Sequence, residues 1–130
     1  MAANDSAKRL AFSFEYLDIT NPKFSLDSCD IHFFRELLAR MKALSQFDRN
    51  QFISLQATGK SWRVHRIDWL KDRRLSESSL GLHQSLTADE LAWQFTISKR
   101  NGRVHGFLSS STFFVRWLDR NHRLYGGDPD

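Results

Sequence analysis

The sequence predicts an α+β fold in which an antiparallel sheet packs on one long and one short helix. The sheet combines an N-terminal strand with a C-terminal three-stranded meander. Alternating apolar and polar residues on both sides of Asn101–Gly102 indicate the meander, because this pair tolerates the positive φ of tight hairpin turns. Apolar residues at spacings of three and four over residues 27–47 indicate the long helix. Strand and helix signals occupy separate parts of the chain, which favours α+β packing.

Composition limits the possible classes of protein. The 130 residues fit a single domain, residues 1–130, with residues 1–8 and 126–130 as loose ends. A hydrophobic content of 41% excludes a disordered chain. A net charge of +4 and a pI near 9.6 are compatible with nucleic acid or an acidic protein partner. The single cysteine, Cys29, and the absence of an apolar leader or membrane span predict a soluble cytoplasmic protein.

The N-terminal half predicts a strand and then the long helix. Residues 12–16 alternate in the manner of a strand, which Asn21–Pro22 terminates. Acidic residues such as Asp30 can cap the helix over residues 27–47. Its apolar stripe is expected to comprise Ile31, Phe34, Leu37, Leu38, Met41, Leu44 and Phe47.

The middle of the chain is less regular. Asp48 predicts a second, short helix through about Leu55, with Gln51 as its capping-box partner. Residues 62–70 are interpreted as an edge strand or an extended segment. Residues 71–83 are charged and rich in serine, and are expected to form a mobile connection.

The first hairpin of the meander lies within residues 93–125, after a possible helical turn at residues 87–90. A two-residue turn at 101–102 pairs Phe95 with Leu108, and the remaining pairs follow from that register.

The second hairpin is predicted to turn through the polar residues 109–112. This register pairs His105 with Arg116 and Val104 with Trp117. Because side chains alternate along a strand, these pairings decide which residues share a face.

The predicted register gives the meander an apolar face and a basic face. The apolar face collects Phe95, Ile97, Val104, Leu108, Phe113, Val115 and Trp117, with Lys99 at its rim. The basic face collects Thr96, Ser98, Arg100, Arg103, His105, Arg116 and Arg120, with Phe107, Phe114 and Leu118 among them. We expect the long helix to cover the apolar face and the basic face to be open to solvent or a ligand.

The basic face is the first candidate for function. Its cations are Arg100, Arg103, His105, Arg116 and Arg120. Clustered arginines repel one another, and a phosphate bound among them would remove that repulsion. Phe107 and Phe114 could stack a base between those charges. The alternative is a solvated face whose charges pair with Asp119 or Glu90.

The C-terminal tail is the second candidate. His122 and Tyr125 are three residues apart and can share one face of a turn. Together with His105 they can supply the base and acid that metal-free RNA cleavage requires, while arginines stabilise the phosphate. The alternative is that Tyr125 packs at the sheet end and Asp119 pairs with an arginine.

Other motifs give weaker signals. The segment from Arg63 to Arg66 adds three cations, which fits either a nucleic-acid rim or a solvated edge strand. The five histidines have no metal-ligand spacing, and no phosphate-binding loop, dinucleotide fingerprint or nucleophile elbow is present. We therefore predict no metal and no cofactor.

The order of strand, two helices, strand and meander resembles the RelE/ParE group of small bacterial toxins. The resemblance is carried by the hairpin RNGRVHGF and the closing stretch FFVRWLDRNHRLY. The resemblance extends over the sheet. In the N-terminal half it is limited to the order of the elements. It implies metal-independent cleavage of mRNA on the ribosome and neutralisation by an antitoxin laid across the toxin.

By position, the resemblance implies that Arg100, Arg103 and Arg116 hold phosphate and that His122 or Tyr125 performs acid–base chemistry. ParE-type relatives act on a protein target instead. A non-catalytic module that binds nucleic acid or protein, such as a mobile-element accessory or inhibitor protein, is therefore the alternative function.

Overall fold

The structure is a computed structural model that describes residues 8–58, 62–83, 92–98 and 102–125. Its elements are β1 (Ala11–Ser13), α1 (Ile31–Leu44), α2 (Arg49–Thr58), β2 (His65–Arg66), β3 (Ala92–Thr96), β4 (Arg103–Ser109) and β5 (Thr112–Asp119). Two short 3-10 helices, Pro22–Phe24 and Leu26–Ser28, lead into α1. None of the helices in these ranges is both long and apolar enough to cross a membrane.

The five strands form one sheet in the order β1-β5-β4-β3-β2. The meander and β2 pair antiparallel, but β1 pairs with β5 in the parallel direction. The α+β class is therefore confirmed, whereas the prediction of a purely antiparallel sheet is wrong. The long helical connection between β1 and the meander allows the parallel arrangement, since parallel neighbours need a crossover and cannot be joined by a tight turn.

Side-chain caps set where both helices begin. Asp30 accepts a hydrogen bond from the Phe33 backbone N–H at 3.0 Å, so α1 begins after the residues that were expected to start it. Asp48 and Gln51 bond reciprocally, each side chain accepting from the other residue's backbone N–H at 2.8 and 2.9 Å. This is the predicted capping box, and α2 continues from it to Thr58.

The buried face of α1 is rotated from the predicted stripe. The buried positions are Phe33, Leu37, Met41 and Leu44. Ile31 and Leu38 were expected in the core, but their exposed fractions are 61% and 63%. Spacings of three and four fit both sets, and the contact with the sheet selects the one that includes Phe33. The prediction that α1 covers the apolar sheet face is confirmed.

The first hairpin of the meander has a different register from the predicted one. Phe95 faces Val104, four residues from its expected partner Leu108. An even shift leaves every side chain on its predicted face, so the alternation remains valid although the pairing is wrong. Gly102 has the expected positive φ of 84°. Residues 99–101 of the predicted turn lie outside the described residues, as do residues 87–90.

The second hairpin contains a β-bulge. Leu108 faces Phe113 as predicted, but His105 faces Trp117 and not Arg116. Arg116 is therefore an extra residue on β5. The bulge lies opposite Gly106, where a side chain would overlap the carbonyl oxygen of Phe114.

This bulge exchanges the two faces of β5 beyond it. Trp117 packs with the cluster on the predicted basic face, and Leu118 packs with the core beneath the helices. Both were predicted on the opposite faces. The exchange also places Asp119 beside His105.

A second hydrophobic cluster covers most of the face that was expected to be open. It consists of Phe24, Ile67, Leu80, Ala92, Phe107, Trp117 and Leu124. Residues 71–83, expected to be a mobile connection, contribute Leu75, Leu80 and Leu82 to this covering layer. Residues 62–70 form only the short strand β2 at the sheet edge. Among the described residues, one end of the predicted basic face remains accessible.

Candidate functional site

A pocket of about 510 Å³ opens at the accessible end of the predicted basic face of the sheet. It is lined by Arg63, His65, Arg74, Gln94, Arg103, His122 and Tyr125, and we call it the basic pocket. The described lining residues include three arginines and no carboxylate. Its electrostatic character therefore favours an anionic ligand.

The floor of the basic pocket is formed by side chains on adjacent strands. One row runs from His65 to Gln94, and His105 continues this row beneath the pocket. In the neighbouring row, Arg103 pairs with Thr96 and donates a hydrogen bond to its hydroxyl at 2.8 Å. Strand pairing thus fixes the relative positions of the floor residues before any ligand is present.

The turn that follows β5 forms one wall of the pocket. Asp119 accepts hydrogen bonds from the backbone N–H groups of Arg123 and Leu124 at 2.6 and 2.9 Å. Ser76 holds the same turn from the other side through its backbone N–H and its hydroxyl, at 2.6 and 2.7 Å. Two anchors therefore keep this wall against the sheet.

A buried histidine–aspartate pair lies beneath the pocket. His105 Nε2 is 2.9 Å from an Asp119 carboxylate oxygen, and the two side chains are 0% and 1% exposed. Burial alone would raise the pKa of Asp119, but hydrogen bonds from His105, Leu124 and Arg123 hold it below the usual range. An ionised carboxylate only accepts, so His105 carries a hydrogen on Nε2. The ion-pair partner of Asp119 in the described residues is His105, and the negative charge of Asp119 also raises the pKa of Arg103.

The histidines and the tyrosine that line the pocket remain uncharged at neutral pH. Burial lowers the pKa of His65 and of His122, and the positive charge of Arg103 lowers that of His122 further. Burial raises the pKa of Tyr125 to about 12, and nearby Asp72 adds to this effect. The pocket therefore offers a neutral imidazole as a base and a protonated phenol as an acid or hydrogen-bond donor.

The three arginines of the pocket differ in their neighbouring charges. Burial lowers the pKa of Arg103, and repulsion from Arg63 lowers it further. Arg74 pairs with Asp72 at 2.9 Å and lies 5.2 Å from the centre of the Tyr125 ring. An anion between Arg63 and Arg103 would relieve their repulsion, which makes this pair the strongest candidate for binding a phosphate.

Two residues of the pocket have a left-handed backbone conformation. Arg63 has φ of 47° and His122 has φ of 57°. Such angles are uncommon for residues other than glycine, and they persist where the surrounding structure holds them. The fold therefore holds the backbone of both residues in this conformation at the pocket despite a conformational cost.

Metal coordination finds little support in the described ranges. Groups of three or more histidine, cysteine or acidic side chains that could hold a metal ion do not occur among these residues. Three of the seven residues that line the basic pocket carry guanidinium groups, which bind anions.

Of the predicted site residues, the structure brings Arg103, His122 and Tyr125 together at the pocket, with His105 beneath them. Arg100 lies outside the described residues. Arg120 is partly buried, and its charge acts on Cys29 and Asp30 at the start of α1. It therefore belongs to the opposite face of the sheet, because it lies beyond the bulge.

The contacts of Arg116 are structural. Its guanidinium group donates to the carbonyl oxygens of Leu80 and Tyr16 at 2.7 and 2.9 Å, and it lies 3.8 Å from an Asp18 carboxylate oxygen. These contacts attach the covering segments to β5. We therefore leave Arg116 out of the candidate site.

The two phenylalanines proposed for base stacking pack on each other. The rings of Phe107 and Phe114 are stacked at 4.9 Å, and Tyr16 packs against both. Phe107 is only 2% exposed, so it has no free ring face for a base. The second hydrophobic cluster occupies the predicted stacking surface.

Sequence reasoning did not find Arg74 or Gln94, and it gave Arg63 and His65 only a role at the rim. Gln94 and Thr96 are two residues apart on β3 and lie on the same face. The alternation of this strand was therefore sufficient to predict the face of Gln94. Arg74 lies in an irregular segment, for which no periodicity indicates a position.

Comparisons with known proteins do not identify this chain. No family model, no curated protein and no solved structure matches it.

Proposed function

We propose that this chain is a small toxin-like endoribonuclease that cleaves mRNA in the cytoplasm without a metal ion, using the basic pocket. The observation that supports this proposal is that Arg63, Arg103, His122 and Tyr125 line one pocket. The pocket thus combines cations that can bind a phosphate with a base and a proton donor. Metal-independent phosphodiester cleavage requires these groups.

The proposed chemistry assigns one role to each group. Neutral His122 takes the proton from the ribose 2′-OH, and the 2′ oxygen attacks the adjacent phosphorus. Arg63 and Arg103 stabilise the negative charge that develops on the phosphate oxygens. Tyr125 gives its proton to the departing 5′ oxygen, which breaks the P–O bond. The products are a 2′,3′-cyclic phosphate and a free 5′-OH.

The buried pair beneath the pocket supports these roles indirectly. Asp119 holds the turn that carries His122 and Tyr125, so the carboxylate positions both proton-transfer groups. Positioning of this kind lowers the entropic cost of reaching a reactive geometry.

The first experiment measures cleavage of an end-labelled single-stranded RNA in the presence of EDTA. We expect products that end in a 2′,3′-cyclic phosphate. The Arg103→Ala variant should cleave about 10²- to 10³-fold more slowly, as for other removed charge-stabilising donors. Arg35→Ala, at an exposed position on α1, is the matched control and should keep the wild-type rate.

The Tyr125→Phe variant tests the proton donor separately. It keeps the ring and removes the phenol, and we expect a loss of about 10²-fold or more in rate with RNA binding retained. Induced expression in a bacterium tests the toxin proposal. Wild type should arrest growth and produce new mRNA ends, whereas Arg103→Ala should not. RNA binding without cleavage would contradict the nuclease and favour the non-catalytic binding module.

A further inference from the structure

His65 lines the basic pocket but has no role in the proposed cleavage step. Pairing between β2 and β3 sets the position of its backbone, and its side chain is only half-buried. Its Nδ1 atom is 2.9 Å from the carbonyl oxygen of Arg66. A carbonyl oxygen only accepts, so a hydrogen of the imidazole is on Nδ1. Nε2 is therefore the ring nitrogen that remains for a group in the pocket.

The surroundings of His65 give its Nε2 atom the character of a base. Burial lowers the pKa of this histidine, and the positive charge of Arg103 lowers it further. The ring is then neutral at neutral pH, with its one hydrogen on Nδ1 and a lone pair on Nε2. A hydrogen bond from one ring nitrogen to a backbone carbonyl commonly fixes the tautomer of a histidine that transfers protons through the other nitrogen.

We propose that the pocket also hydrolyses a 2′,3′-cyclic phosphate to a 3′-phosphate, with His65 as the base that activates water. The inference rests on the proposed function, because the cyclic phosphate is the product of the proposed cleavage. His65 and His122 line the same pocket, together with Tyr125. Cleavage uses His122 and Tyr125, and it leaves the lone pair of His65 for a second proton transfer.

The second reaction starts from the protonation states that cleavage leaves behind. His122 then holds the proton of the former 2′-OH, and Tyr125 is a phenolate. His65 Nε2 takes a proton from a water molecule while the water oxygen attacks phosphorus. The bond between phosphorus and the 2′ oxygen breaks, and the 2′ oxygen takes the proton from His122. Burial and the positive charge of Arg103 disfavour a charged His122, so they favour this proton transfer.

The contact between His65 and Tyr125 completes the proton balance. The centres of the two rings are 6.1 Å apart, with the rings in an edge arrangement. The proton that His65 gains returns to the phenolate, which binds it strongly because burial raises the pKa of Tyr125 to about 12. All three groups are then in their original states, and water is the substance consumed.

The charge of the pocket favours hydrolysis. A cyclic phosphate diester carries one negative charge, whereas a phosphate monoester carries a charge of about −1.5 to −2 at neutral pH. Arg63 and Arg103 repel each other, so they gain more from the product than from the cyclic phosphate. A pocket of about 510 Å³ falls within the range of roughly 300–1,000 Å³ that is usual for small-molecule sites, which leaves room for a cyclic nucleotide.

The test follows the conversion of 2′,3′-cyclic CMP to 3′-CMP by chromatography, using the full chain. We expect the wild type to carry out this reaction. His65→Asn keeps an amide nitrogen that can donate to the Arg66 carbonyl and removes Nε2, so hydrolysis should slow by about 10²-fold or more. RNA cleavage to the cyclic phosphate should continue near the wild-type rate, and added imidazole should partly restore hydrolysis. His32→Asn, at an exposed position on α1, should keep both rates.

The outcomes separate this inference from the proposed function. Wild-type cleavage that stops at the cyclic phosphate would overturn the inference and leave the nuclease in place. Hydrolysis at the wild-type rate by His65→Asn would also overturn it, and would make the Tyr125 phenolate the base. Loss of both reactions in this variant without rescue by imidazole would show that His65 is structural. Intact RNA with hydrolysed cyclic CMP would overturn the endoribonuclease alone, and neither reaction would overturn both proposals.

Discussion

His122 combines a left-handed backbone with a position beside Arg103, and both features bear on its chemistry. Asp119 holds the backbone of the turn that contains it through the N–H of Arg123, and the positive charge of Arg103 acts on its imidazole. Burial and this positive charge make protonation of the ring less favourable. At the residue scale, the site therefore keeps its base neutral where a free histidine would be partly charged.

The pH dependence of cleavage follows from this shift. A free histidine titrates at 6.5, and His122 titrates below that value, so cleavage should keep its full rate at neutral pH and fall only as the pH drops below 6.5. Rates measured from about pH 4 to about pH 9 would reveal this acid limb. His122→Gln should lose the limb along with most of the rate. An acid limb with a midpoint above 6.5 would contradict the role of His122 as a base.

At the element scale, Asp119 joins β4, the end of β5 and the turn beyond it. One carboxylate satisfies His105 and two backbone N–H groups, all in a buried environment. Breaking a buried pair leaves its partners unsatisfied, so Asp119→Asn should lower the free energy of unfolding by about 3 kcal/mol. Urea denaturation at neutral pH measures this change. Asp68→Asn, at an exposed position, should change it by less than about 0.5 kcal/mol.

Low pH should also reveal the contribution of Asp119 to stability. The folded-state pKa of Asp119 lies below its ordinary value of 3.8, so its stabilising contribution is present above 3.8 and is lost as the pH falls through the lower, folded-state pKa. The stability difference between wild type and Asp119→Asn should therefore shrink in strong acid. A difference that stays constant down to the acid unfolding transition would show that the charge of Asp119 does not stabilise the fold.

The same elements show which parts of the structure were accessible from the sequence. The capping box of Asp48 and Gln51 is local, so residue types and spacing were sufficient to predict it. The bulge at Arg116 was not accessible, because strict alternation also fits β5 and the close approach at Gly106 appears only once the strands pair. Arg103 reached its predicted face despite the wrong register, since the error was an even number of residues.

At the scale of the whole molecule, three arginines meet at the pocket where the covering layer ends. Arg63 and Arg103 are exposed to a ligand at the pocket, while Arg74 is already paired with Asp72. The net charge of +4 is moderate, so RNA affinity should depend on these few contacts more than on a general field.

This distribution predicts a shallow salt dependence of RNA binding. Neutralisation of two or three phosphates gives a slope of about −1.4 to −2.1 for the logarithm of the association constant against the logarithm of the salt concentration. Fluorescence anisotropy with a short single-stranded RNA would measure it. Arg103→Ala should reduce the magnitude of the slope by about 0.7. Arg35→Ala, at an exposed position on α1, should change it less.

The extra residue of β5 links the phase of this strand to its length. A strand that kept Arg116 in regular alternation would turn Asp119 toward α1 and remove the carboxylate from His105. Deletion of Arg116 would instead leave the pairs of His105 with Trp117 and of Arg103 with Asp119 in phase, because it removes the residue that the bulge accommodates. A length change in a loop has no effect on strand phase. Chains that share this pocket can therefore diverge in loop length, but a chain that keeps the extra residue between Val115 and Asp119 must also keep the bulge.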